Sequence, residues 1–295
     1  MQFYPRRLTG ILLGTVATAW AVAFTVLLII RGATQPVSLF ALGCYLAAAL
    51  FFALSVLFAY WTFCCLTLSY SLDRNGLSIH WGFVRQVVPL DKIERLVRGK
   101  PGPTPQVKGV NWFGHHVGRA QVEEIGETLF YATGHDPLDL VYVVTASEAY
   151  AVSPPDVDRF LHEVEARQQE GISVPLWQGP RRLLLANQPF WVDRYALLLA
   201  LAAIAVCVAT FGVVFARYGG LAESVPLSFP PLDVTRVAAR REVLTLPTTA
   251  FGILLINLIL AFVIHTWERV VAYMLLVGLI VLQGVFLWGA AIAVS

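Results

Sequence analysis

Residues 37–72 read VSLFALGCYLAAALFFALSVLFAYWTFCCLTLSYSL, and the change of pattern inside this stretch decides the fold. Residues 37–63 contain no Asp, Glu, Lys or Arg. A bilayer-spanning helix needs roughly 20 mostly apolar residues at about 1.5 Å rise each. No backbone polar group can stay unpaired in hydrocarbon, so such a run must be helical. From Leu66 the pattern changes: Leu66, Leu68, Tyr70 and Leu72 alternate with Thr67, Ser69 and Ser71. That is the period of a half-buried strand. The chain therefore leaves lipid and enters a sheet within a few residues.

Outward from this junction, residues 11–30, 195–216, 243–264 and 270–295 are also uncharged and long enough to span. Together they predict about five transmembrane helices around one polar block. Of 295 residues, 57% are hydrophobic and 14% charged, against about 25% charged in ordinary globular domains. Arg31-Gly32-Ala33-Thr34-Gln35-Pro36 is too short for anything but an antiparallel helical hairpin, and His265-Thr266-Trp267-Glu268-Arg269 makes a second. The chain thus divides into an N-terminal hairpin (1–63), a soluble domain (64–170), a juxtamembrane linker (171–194) and a three-helix membrane region (195–295) with a loop at 217–242. Arg6 and Arg7 precede an apolar run longer than a signal-peptide core, which predicts an uncleaved anchor with the mature chain beginning near Met1.

With the N-terminus inside, Arg6, Arg7, Arg74, Arg181, Arg182, Arg194 and Arg269 flank spans on the cytoplasmic side. Arg31, Arg217, Arg236, Arg240 and Arg241 lie opposite, so the positive-inside rule places the polar block in the cytoplasm. Trp20, Trp61, Trp191, Trp267 and Tyr195 suit an interfacial aromatic belt, and residues 183–191 are expected to lie along the interface. Residues 64–194 hold 13 Lys/Arg and 15 Asp/Glu, a net of −2. Nucleic-acid modules usually show a concentrated basic face, so nucleic acid is not expected as a partner. Cys44 and Cys207 lie within spans, and Cys64 and Cys65 end the second. None shows metal or disulfide spacing, and packing is their expected role.

Within the polar block, Asn75-Gly76 supplies a turn between residues 66–72 and the alternation Leu77, Ile79, Trp81. Residues 84–90 form the next strand, followed by Ile93, Leu96 and Val97. Residues 101–118, rich in Gly and Pro, read as a long loop. Strands resume at 120–125, 128–133 and 138–145, and 148–152 closes the series. Ser153 is the expected N-cap of a helix with Pro154 at its first position. Val157, Phe160, Leu161 and Val164 give that helix one apolar stripe.

Several short antiparallel strands followed by one amphipathic helix resemble bacterial membrane proteins carrying pleckstrin-homology (PH)-like domains. The resemblance rests on residues 70–81, on Pro89-Leu90-Asp91-Lys92-Ile93, and on Tyr150-Ala151-Val152-Ser153-Pro154 leading into Phe160-Leu161. It covers about residues 64–170 and implies an inserted PH-like β-barrel capped by one helix. It carries no catalytic residue. A second similarity, to an uncharacterised bacterial membrane domain, touches Glu223-Ser224-Val225-Pro226-Leu227-Ser228-Phe229 and the apolar run from Leu246. Pro230-Pro231 stands here where that domain has a small glycine-containing turn.

Candidate chemistry is sparse. His115 and His116 are adjacent, so on a strand they point to opposite faces and cannot chelate together. With His80, His135 and His162 they are expected at the surface or in loops. Glu123, Glu124 and Glu127 read as a solvated face, and no nucleophile elbow or phosphate loop appears. No metal or cofactor is expected, and no enzymatic activity. Arg95, Arg98 and Lys100 form the densest basic patch and are the candidate contacts to a lipid headgroup or a partner. Asn257 and Gln283 are the strongly polar side chains deep in the last two spans, where they are expected to hydrogen-bond across the hairpin. The reading is a non-enzymatic protein of the bacterial inner membrane. Its PH-like domain would dock another membrane or cytoplasmic protein, or a second copy of itself. A transporter component and a headgroup-binding module are the alternatives.

Overall fold

The computed structural model describes residues 1–112, 114–134, 136–171, 173–174, 176–182, 188–229 and 234–294. Among the described residues, five helices are long and apolar enough to cross a membrane. The chain forms two compact units, Met1–Ala23 with Phe52–Asn187 and Phe24–Phe51 with Gln188–Ser295.

The first unit begins with β1 (Gln2–Phe3) and the start of α1 (Leu8–Ala33). It continues from the second half of α2 (Leu39–Thr67) into β2 (Ser69–Leu72), β3 (Gly76–Trp81) and β4 (Val84–Pro89). Asp73 Oδ1 accepts from the Asn75 and Gly76 amides, both at 2.8 Å, and so closes the β2–β3 turn. Next come β5 (Ile93–Arg98), β6 (Lys108–Trp112), β7 (His115–Val122), β8 (Gly126–Ala132), β9 (Val141–Thr145) and β10 (Ala149–Val152). Helix α3 (Val157–Glu170) and β11 (Gly179–Arg182) complete it.

The strands form two sheets, β1-β2-β3-β4-β11 and β5-β9-β10-β8-β7-β6. Among the described residues they do not close into the expected barrel. Most pairs are antiparallel, but β10 runs parallel to β8, because it folds back from β9 into the gap between β8 and β9. Residues from outside the expected domain supply both edges of the first sheet: β1 pairs with β2, and β11 with β4. The expected loop at 101–118 is shorter than its composition suggested. Lys108–Trp112 pairs with His115–Arg119, and two glycines face each other at the Gly109–Gly118 position, where a Cβ on Gly118 would lie 2.4 Å from the Lys108 oxygen.

Phe3, Leu68, Tyr70, Leu77, Ile79, Val141, Val143, Tyr150, Phe160 and Val164 share one core. Helix α3 docks on it through Phe160 and Val164, the stripe that the sequence shows. Its N-cap, however, is Asp156, whose side chain accepts from the Arg159 amide. Ser153 lies further back and serves the core instead: its amide donates to the Tyr70 hydroxyl at 3.1 Å and its hydroxyl accepts from the Thr133 amide at 2.9 Å. The Tyr70 hydroxyl in turn donates to the Tyr131 oxygen at 2.6 Å, so this buried polar group is satisfied.

In the second unit, Phe24 of α1 and Phe51 of α2 stack at 5.1 Å. Helices α4 (Arg194–Arg217), α5 (Thr245–Ile264) and α6 (Arg269–Ala293) pack as a bundle. Ala196, Ala200, Ala203, Cys207 and Thr210 line the buried face of α4. Small side chains at this spacing let helix backbones approach closely, which is how helices associate where lipid is as apolar as leucine. The expected loop at 217–242 contains an antiparallel hairpin, β12 (Ser224–Phe229) and β13 (Val234–Ala239). Pro230-Pro231 lies outside the described residues.

Candidate functional site

The strand edges of the larger sheet set where another chain can add. Beside β5 lies α3: Gln168 Nε2 donates to the Leu90 and Ile93 oxygens at 3.1 and 3.2 Å, and Arg98 pairs with Asp158 at 2.7 Å. At the other edge, β6 pairs, among the described residues, with β7 alone, and its Lys108, Gly109 and Asn111 are exposed. An edge strand of this kind presents unpaired N–H and C=O groups, the template for strand addition.

Next to it, between residues 98–106 and the β7–β8 turn, lies an open cleft of about 580 Å³. Val97, Tyr142, Val122 and Ile125 give it an apolar floor that continues into a second small core around Phe130 and Leu140. Arg98 and Lys100 stand on its rim. Arg95 Nη2 donates to the Glu124 oxygen at 3.3 Å, and Lys100 Nζ pairs with Glu124 Oε2 at 3.2 Å. The structure thus brings Arg95 and Lys100 to one turn residue, Glu124, whose φ of 66° is the left-handed conformation. The carboxylates of Asp158 and Glu124 already engage Arg98 and Lys100. Exposed pairs of this kind are worth about 0–1 kcal/mol and exchange readily. The turn stands at the opposite end of β7 from His115, about 23 Å away at ~3.3 Å per residue.

The histidines differ from expectation. His115 and His116 are strand residues, 1% and 2% exposed, rather than loop or surface groups. Trp81 Nε1 donates to His115 Nε2 at 3.1 Å and the two rings stack. Burial lowers the His115 pKa to about 4, so the ring is a neutral acceptor. His116 Nδ1 meets Asn111 Oδ1 at 2.7 Å across the β6–β7 pair. Among the described residues no three His, Cys, Asp or Glu side chains converge as metal ligands. His135 lies outside the described residues. What hid this in the sequence is that the Trp81 partner is 34 residues away.

In the bundle, Asn257 and Gln283 do not bond each other. Asn257 Nδ2 donates to the Ile253 oxygen of its own helix at 2.9 Å, while Gln283 Nε2 donates across to the Ala250 oxygen of α5 at 2.8 Å. The reason is register: Gln283 lies level with Ala250, about two turns from Asn257 along α5.

A further polar constellation shows only one of its members in the sequence pattern. Asp193 caps α4 through the Tyr195 and Ala196 amides. Its Oδ2 accepts from the Tyr273 hydroxyl and meets His265 Nε2 at 2.9 Å. The His265 ring is 1% exposed and lies edge-on to Phe190 at 5.4 Å. Those donors, Tyr273 first, hold the Asp193 carboxyl well below the usual carboxylate range. An Asp immediately before an apolar run was a visible N-cap signal. Its partners, 72 and 80 residues on, were not.

Residues 68–168, about a third of the chain, match the Bacterial PH domain family. No curated protein and no solved structure matches the chain. With the five apolar helices, this describes a membrane protein carrying a PH-like module.

Proposed function

We propose that the protein is a non-enzymatic scaffold of the bacterial inner membrane, whose PH-like domain faces the cytoplasm and docks another polypeptide. The observation that carries this reading is β6, an exposed five-residue edge strand beside an open, apolar-floored cleft. A partner strand added to β6 gains main-chain hydrogen bonds, and the cleft offers a place for its side chains. A second copy suits this edge poorly. Antiparallel pairing of β6 with itself relates the copies by a two-fold axis perpendicular to the strand. The Trp112 end of β6 packs against Phe58 and Trp61 of α2. Such an axis would therefore carry the second membrane hairpin toward the opposite end of the strand pair.

Headgroup recognition by Arg95, Arg98 and Lys100 is less favoured, because the Glu124 and Asp158 carboxylates beside them offset their positive charge. The test is a photo-cross-linking amino acid at Lys108, the end of β6 away from Trp112, in the full chain, in native membranes. The expected result is one reproducible adduct with another protein, absent when the same residue replaces Glu165 on α3. Cross-linking only to lipid or only to a second copy sinks the reading. Orientation has its own test: a cysteine at Glu123 should react with an impermeant reagent only after the cytoplasmic face is opened.

A further inference from the structure

Helix α2 is longer than a bilayer requires. Its 29 residues extend about 43 Å, some 13 Å more than a hydrocarbon core of ~30 Å. If the core begins near Leu39, it ends near Phe58, and the last turns of α2 stand in the interfacial layer.

Two hairpin tips of the PH-like domain pack at this level, within the same compact unit. At the β3–β4 tip, Phe83 lies 6.1 Å from the Tyr60 ring and 5.0 Å from the Phe63 ring. The backbone there is pinned, since the Gly82 amide donates to Thr67 Oγ1 at 2.8 Å. Gly82 has φ of 53°, and a Cβ would come 2.7 Å from Cys64 Sγ, so the tip depends on glycine to come this close. At the β6–β7 tip, Trp112 lies 6.0 Å from Phe58 and 5.5 Å from Trp61. Gly114 abuts Gly10 of α1, where a Cβ on Gly10 would meet the Gly114 oxygen at 2.8 Å.

The described residues of both tips are uncharged: Trp81, Gly82, Phe83 and Val84 at one, Val110, Asn111, Trp112 and Gly114 at the other. Phe83 nonetheless remains 46% exposed. An aromatic ring left half open beside a membrane helix, at the depth where aromatic belts form, has lipid as its natural solvent.

We propose that the PH-like domain is seated in the bilayer interface by the tips of its β3–β4 and β6–β7 hairpins, with Phe83 and Trp112 at the hydrocarbon boundary. The contact is apolar and independent of headgroup charge. The occupant of the exposed Phe83 face is lipid, because that face is continuous with the lipid-facing surface of α2 at Phe63. This does not rest on the docking role: a domain seated in this way keeps the β7–β8 turn and the cleft away from the membrane, whatever binds there.

The test uses the full chain in phosphatidylcholine vesicles with a nitroxide on Phe83→Cys. The four native cysteines are buried, and labelled wild-type chain serves as the blank. The expected result is collision with dissolved oxygen well above collision with a water-soluble nickel chelate. The ratio should reverse at Glu123→Cys on the distal turn, and adding phosphatidylglycerol should not change either. Equal chelate access at the two positions overturns the proposal. Low access to both oxygen and chelate at Phe83 also overturns it, since that marks a protein partner or second copy over the ring. If the cysteine variant does not fold, Phe83→Trp probes the same contact through brominated lipid: quenching above that of wild-type chain supports the proposal, and unchanged quenching overturns it.

Discussion

Asp193 Oδ2 lies 2.9 Å from His265 Nε2, joining the start of α4 to the residue that follows α5. The same carboxylate caps α4 and accepts the Tyr273 hydroxyl of α6, so one side chain ties three helix ends together. Asp193→Ala removes the cap and leaves a buried histidine and a tyrosine hydroxyl without their acceptor. A loss of about 2–4 kcal/mol is expected. Asp193→Asn keeps an amide oxygen for the cap and should cost less. Unfolding of the reconstituted chain in a denaturing-detergent titration measures both.

The pH dependence of this cluster follows from the depressed Asp193 pKa. A carboxylate held below its ordinary 3.8 in the folded state contributes stability that is fully present above that value. The contribution is lost as pH falls below about 4, toward the folded-state value. Asp193→Asn should flatten that acid limb. An unchanged acid limb in the variant would mean that other groups set it.

His115 gives the PH-like domain a second pH response at a higher window. The unfolded imidazole takes up a proton near 6.5, whereas the buried one resists protonation down to about 4. The unfolded chain binds more protons in that interval, so stability falls as pH drops from 6.5 to 4, by on the order of 3 kcal/mol. His80 leans the same way, through burial and then Arg85. His115→Leu should therefore remove most, not all, of the slope in Tm measured between about pH 7 and pH 5. A slope equal to that of the wild type would place the response elsewhere.

The β6–β7 pair depends on the facing glycines Gly109 and Gly118. A methyl group on Gly118 would sit 2.4 Å from the Lys108 oxygen and 2.9 Å from the Gly109 Cα. Gly118→Ala should push β6 off the sheet at a cost on the order of 2 kcal/mol. Amide exchange at residues 108–112 should accelerate while the β2–β3 amides stay protected. Equal protection of both would show that the hairpin absorbs the methyl group.

Asn257 and Gln283 bond backbone carbonyls on separate turns. A double-mutant cycle of Asn257→Leu and Gln283→Leu should therefore give a coupling energy below about 0.5 kcal/mol. Coupling above about 1 kcal/mol would restore the direct side-chain bond that the register argues against.

The sequence by itself determined the solvent of each segment. Uncharged runs of span length, and the switch to a period of two beyond them, separate lipid-facing helices from sheet without reference to any contact, because hydrophobic burial is a property of pattern. The junction itself lies three residues later than Leu66, since α2 runs through Thr67 and β2 begins at Ser69. The stripe Phe160, Leu161, Val164 likewise announced the docking face of α3. Only the tertiary structure decided which strands are neighbours. Alternation says which face a residue takes but not which strand lies beside it, so the parallel β8–β10 pair, the edge strands β1 and β11, and the exposed edge at β6 were invisible. The polar clusters have the same cause. Tyr70 with Ser153, Trp81 with His115 and Asp193 with His265 meet across 83, 34 and 72 residues. A buried donor chooses its acceptor by distance in space, and linear order carries no record of that distance.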